Sequence, residues 1–109
     1  MYLFTFTAKV GPRLRKAEEL AEVGGAYVNC WINFKDHAAA EKLAKLLIRD
    51  AGWIPGKKVN VSEVRKKWCK KESDQRYYSE ALRYGYTLVF NTWPKDAKDA
   101  DIDYVAEGE

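Results

Sequence analysis

Histidine and methionine each occur once in this chain, cysteine twice and proline three times. A lone His37 cannot supply the imidazole pairs common in zinc sites, and no nucleophile or metal partner is matched to it by spacing. Two cysteines, Cys30 on an apolar strand face and Cys69 in a lysine run, do not make a disulfide framework; they fit a reducing compartment. No window approaches the about 20 apolar residues that a membrane helix requires. The first ten residues alternate instead of building the apolar core of an export signal. Also missing are a Gly-rich phosphate loop, Cys or His pairs at metal spacing and a G-x-S-x-G elbow. Together these gaps lean away from an enzyme. They give no reason to expect a metal, a cofactor or a membrane, and they point to the cytoplasm.

Aromatic residues, by contrast, are plentiful. Four Trp, seven Tyr and four Phe make 14% of the 109 residues, and hydrophobic residues make 47%, enough for one core and too much for a disordered chain. The expectation is a single α+β domain over residues 1–94 followed by an acidic tail over 95–109.

The net charge of +3 conceals a polarity along the chain. Residues 57–76 hold eight Lys or Arg against three acidic residues, whereas residues 94–109 hold two Lys against six acidic residues. Such blocks are either solvated surface or complementary patches that screen one another.

Periodicity supplies the elements. Tyr2 to Val10 alternates as a half-buried strand that Gly11-Pro12 ends, and Pro12 suits the first position of a helix carrying Leu14, Ala17, Leu20, Ala21 and Val23 up to Gly24-Gly25. Residues 26–35 alternate again. Asp36 is a good N-cap for a helix in which Ala40, Leu43, Ala44, Leu47, Ile48 and Ala51 recur, with Gly52 as its C-terminal stop. Trp53 to Gly56 reads as a turn and Lys57 to Ser62 as a strand; Val64 and Trp68 fit either a short helix or more sheet. Ser73 suits the N-cap of a helix striped by Tyr77, Tyr78, Ala81 and Leu82, which Gly85 ends. Tyr86 to Trp93 is the last strand, stopped by Pro94.

Strands alternating with helices in a short chain predict a two-layer α/β sandwich of ferredoxin-like type, with a mostly antiparallel sheet of four or five strands and helices on one face. A three-layer parallel sheet fits less well, because alternation implies that one sheet face is not core.

The segment from Ala26 to Lys35 makes that second face specific. Ala26, Val28, Cys30, Ile32 and Phe34 form an apolar side; Tyr27, Asn29, Trp31, Asn33 and Lys35 form the other, interleaving aromatics with amides as partner-contacting surfaces do. With Trp93 from the last strand, Tyr27, Asn29, Trp31 and Asn33 are the candidate partner-binding residues, and a homodimer is the first expectation. The alternative is single-stranded nucleic acid, with bases stacked on the same rings and phosphates held by Lys66, Lys67, Lys70 and Lys71. The strand signature of RNA-recognition modules is not met at Gly85 to Phe90: Thr87 replaces a small residue and Leu88 a stacking aromatic. Two further candidates are local. Four lysines around Cys69 would favour its thiolate if they approach it closely, and His37 after Asp36 stands at a helix N-terminus where a neutral imidazole is favoured.

Overall fold

Phe4, Phe6, Ala8 and Val10 recur at a period of two and face Cys30, Val28 and Ala26 across an antiparallel ladder, so one side of the sheet is apolar before any helix is added. The structure is a computed structural model that describes residues 1–95. Its strands are β1 (Tyr2–Val10), β2 (Val23–Ile32), β3 (Trp53–Glu63) and β4 (Tyr86–Pro94). The helices are α1 (Pro12–Arg15), α2 (His37–Asp50) and α3 (Glu72–Tyr84), with 3-10 turns at Glu18–Leu20 and Lys66–Trp68. The acidic tail expected from residue 95 onward lies, apart from Lys95, outside the described residues.

The sheet order is β3-β1-β2-β4 and every neighbouring pair is antiparallel. The α+β class and the antiparallel sheet agree with the expectation. The ferredoxin-like order does not: that topology is β-α-β-β-α-β, whereas here β1 and β2 are sequential neighbours and β3 and β4 are the two edges. β2 and β3 flank β1 and run parallel to each other, which requires a crossover, and α2 supplies it.

α2 is the main helical layer. Ala40, Ala44 and Ile48 lie on one stripe and bury against Phe4, Phe6, Val28, Cys30 and Ile32. Asp36 caps it as expected, its carboxylate accepting from the Ala39 amide at 3.1 Å. Trp53, expected in a turn, is instead the first residue of β3 and is buried; its ring reaches Phe90 of β4, centroids 5.2 Å apart. The register sets Ala8 opposite Ala26 between those strands, and small side chains there leave room for both rings.

α3 is on the other face. Ala81, Tyr77 and Tyr78 pack on Trp31, Leu3 and Val89, residues whose parity is opposite to that of Cys30 and Phe4. The expectation of helices on one face is corrected for this element. Its stripe of Tyr77, Tyr78 and Ala81 needs cover, and the large apolar Trp31 is the surface that provides it. Gly85 ends α3 at φ 94°, a left-handed turn that glycine adopts without penalty.

Two other expectations shift. The helix predicted from Pro12 to Val23 is a single turn ending at Arg15, followed by a 3-10 turn, because so short a helix has a costly nucleus and Val23 to Gly25 gain ladder partners in β4. β2 consequently begins at Val23 and ends at Ile32, leaving Asn33, Phe34 and Lys35 exposed beyond it. α3 begins at Glu72, one residue before Ser73, and Lys71 at the N-cap makes no side-chain cap bond.

Candidate sheet-face site

The second face of the sheet is built in rows, one residue from each of β1, β2 and β4. Leu3, Trp31 and Thr87 form the first row; Thr5, Asn29 and Val89 the second; Thr7, Tyr27 and Asn91 the third; Gly25 and Trp93 the last. α3 covers the first row and Val89 of the second. Among the described residues, what α3 leaves uncovered is the half of the face around Tyr27, Asn91 and Trp93, which is the candidate site.

Trp31 is therefore not a surface contact. It is 4% exposed, packed on Ala81, with the Tyr77 ring centroid 6.0 Å away. Its indole Nε1 is buried and finds no hydrogen-bond partner among the described residues. Burying the ring gains more than that lost bond costs, since a Trp buries roughly 150–250 Å². Asn33 is also displaced. It stands past the end of β2, where its amide donates to the Gly85 carbonyl at 2.9 Å, eight positions from Gly25 and hence roughly 26 Å along the strand from Trp93.

The other candidates do come together. Tyr27 and Trp93 meet edge to face with centroids 5.0 Å apart. Asn29 accepts a hydrogen bond from the Thr5 hydroxyl at 2.7 Å, which ties its amide to β1. Trp93 is paired in register with Gly25, and its indole occupies the space above that glycine: a Cβ there would lie 2.5 Å from Cζ2 of the ring and 2.9 Å from the Ala8 carbonyl oxygen. The indole thus crosses β2 towards β1.

Its far side walls a groove of about 360 Å³ lined by Thr7, Lys9, Ile54, Pro55 and Gly56. Along this side β3 is bulged in its pairing with β1, with register shifts on both sides of Phe6. The Thr7 hydroxyl spans the bulge by accepting from the Lys57 amide at 2.9 Å. Ile54 is half exposed at the rim and Lys9 is exposed beside it. Sequence reasoning missed this groove. The available signal was Gly24-Gly25, read as a helix stop, since a glycine pair inside a strand marks the close approach of another group.

The basic segment occupies a different place. Lys66 and Lys67 lie in the 3-10 turn, and all of Lys66, Lys67, Lys70 and Lys71 are exposed. Trp68 between them is 53% exposed, with the Arg65 guanidinium 5.3 Å from its ring centroid.

Cys69 departs from the expectation of an activated thiolate. The thiol is buried beside Trp31, and its pKa is raised, first by that burial and then by the charge of Asp74. Lys66, Lys67, Lys70 and Lys71 are exposed and do not offset this. Burial pushes Cys30 up to about 12. Both thiols are free. His37 is an exposed residue in the first turn of α2, its ring edge-on to Tyr2 at 5.0 Å and tilted against Phe4 at 5.5 Å, so it shields the end of the core. Among the described residues no group of three or more His, Cys, Asp or Glu stands where it could hold a metal, and no helix is long and apolar enough to cross a membrane.

No family model matches the chain, no curated protein matches it, and no solved structure matches its fold.

Proposed function

We propose that this chain is a homodimeric binding module whose ligand surface is the open half of the second sheet face, centred on Trp93. One observation carries the reading: an indole laid over Gly25 walls a groove with a mostly apolar lining and the cation of Lys9 at its rim. A concave, mostly apolar site of a few hundred Å³ with few polar groups is the usual form of a small-ligand site. Charge and shape favour a planar apolar group with a negative end, the ring lying on Trp93 and the anion near Lys9. Tyr27, Asn29 and Asn91 line the adjoining face and would orient what lies beyond the groove. The reading places the module in the cytoplasm, where Cys30 and Cys69 stay reduced.

The test is a titration of the protein with a set of aromatic carboxylates, followed by Trp fluorescence and by the amide signals of Thr7, Lys9 and Gly56. Shifts confined to these residues and the Trp93 indole, abolished by Trp93→Ala with the fold unchanged, are the expected result. Absence of shifts at these positions throughout the set would remove the reading.

A second reading is favoured by the exposed Trp68 under Arg65 amid four lysines: single-stranded nucleic acid, with a base stacked on Trp68 and phosphates on Lys66, Lys67, Lys70 and Lys71. It expects a short oligonucleotide to quench Trp fluorescence with an affinity that falls steeply as salt rises. An oligonucleotide without effect at low salt would exclude it.

A further inference from the structure

The two edges of the sheet differ. β3 carries Pro55, Gly56, Lys57 and Lys58 and breaks register with β1 at two places, all of which disfavour pairing with another strand. β4, at the opposite edge, is the uncharged run Tyr86 to Pro94 and is regular along its own length.

Which of its backbone groups are free follows from parity. The Gly85 carbonyl accepts from the Asn33 amide, and the Lys95 amide donates to the Glu22 carbonyl at 2.6 Å, so the odd-numbered positions of this strand face β2. In a regular strand the even-numbered positions then turn their N–H and C=O groups outward. Those are Tyr86, Leu88, Phe90 and Thr92, and among the described residues no strand pairs with them. Pro94, next in the row, has no N–H to give.

Their side chains are partly uncovered as well. α2 packs chiefly over β3, β1 and β2; Leu88 and Phe90 at the margin of its core cluster stay half-buried, and Tyr86 is 42% exposed. A long, apolar, uncharged edge of this kind is a template for a further strand.

We infer that the outward edge of β4 is the seam along which two copies of this chain join, antiparallel about a twofold axis, into one continuous eight-stranded sheet. Self-complementarity selects the second copy as the occupant. Centred on Val89, the pairing sets Leu88 opposite Phe90 of the second copy and Tyr86 opposite its Thr92, and uses every outward N–H without calling on Pro94. That gives roughly eight backbone hydrogen bonds, two for each facing pair. Aromatic and aliphatic partners meet directly, and no charge opposes its like within the seam. The association closes at two, because the edge of the described sheet that each copy then presents is its guarded β3. The inference goes beyond the ligand reading by placing the dimer seam at the strand edge. The Trp93 groove lies on the sheet face and would bind its ligand in either oligomeric state, so the two can fail separately.

The experiment is sedimentation of the wild-type protein and of Thr92→Pro, with hydrogen exchange of the β4 amides in both. Thr92→Pro removes one outward donor and leaves the inward ladder to β2 intact. The expected result is a wild type at the mass of two chains with Leu88, Phe90 and Thr92 amides protected. The variant is expected to sediment as one chain, with a native far-UV spectrum and the Leu88 and Phe90 amides exchanging at least about tenfold faster. A wild-type monomer overturns the inference, as does a dimer whose even-numbered β4 amides exchange freely, which would put the interface on the sheet face. If Thr92→Pro fails to fold, the exchange pattern of the wild type alone decides.

Discussion

Gly25 and Trp93 are partners in the β2–β4 ladder, and the indole of one fills the space that a side chain on the other would need. Gly25→Ala is expected to cost about 1–3 kcal/mol, the range for overpacking. In a Trp93→Ala background the ring is gone and the same change should cost less, the remainder coming from the Ala8 carbonyl. Urea denaturation of the two single variants and the double variant measures the coupling; strict additivity would mean that the ring does not lie over Gly25.

Trp31 and Trp93 share a sheet face and should behave as opposites. Trp31→Ala removes the centre of the cluster under α3 and is expected to destabilise the fold by about 3–5 kcal/mol, as large truncations in a core do. Trp93→Ala should cost clearly less and act on ligand binding instead. Equal losses of stability in denaturant titrations would contradict this division.

Cys69 is expected to react slowly with a thiol reagent at neutral pH in spite of its lysines, because burial and Asp74 both hold the thiol protonated. Asp74→Asn removes the second cause and should speed alkylation by less than about tenfold, the factor of one pKa unit, since burial remains. Cys30, fully buried, should react only on unfolding. Mass spectrometry after timed alkylation distinguishes the two thiols, and a Cys69 that labels at the rate of a free thiol would refute the assignment.

Glu41 accepts a hydrogen bond from the Lys58 ammonium at 2.7 Å and lies 3.6 Å from Lys45, tying α2 to β3. The Lys58 hydrogen bond, followed by the two positive charges, holds its carboxyl below the ordinary 4.5. A folded-state pKa below the unfolded one means stability that is present above 4.5 and lost as pH falls through the lower folded value. Because the pair is at the surface, Glu41→Gln is expected to cost only about 0.5 kcal/mol at pH 7. The difference between variant and wild type should vanish in acid, and denaturation at pH 7 and pH 3 checks the sign.

Much of the fold was legible because its signals are local. Alternation placed β1 and β4 to within a residue or two, and Asp36 with the Ala40, Ala44 and Ile48 stripe placed α2. The misreadings arose where a short segment had two local solutions: Gly24-Gly25 serves equally as a helix stop and as a strand that admits an indole, and Trp53-Ile54-Pro55-Gly56 serves equally as a turn and as a bulged strand. Within the candidate site, Tyr27, Asn29 and Trp93 were readable as one face of the sheet. Thr7, Lys9, Ile54 and Gly56 were not, because strand order brings them to Trp93 and no spacing encodes it.

By itself the sequence determined the α+β class, the apolar side of the sheet and the presence of aromatics on its other side, since each follows from a period of two or 3.6 along the chain. Only the tertiary structure decided that α3 lies over that other side, sealing Trp31 while leaving Trp93 at a groove. Both residues alternate identically on their strands, and what separates them is which row the Ala81 stripe of α3 reaches, a matter of packing between elements distant in sequence.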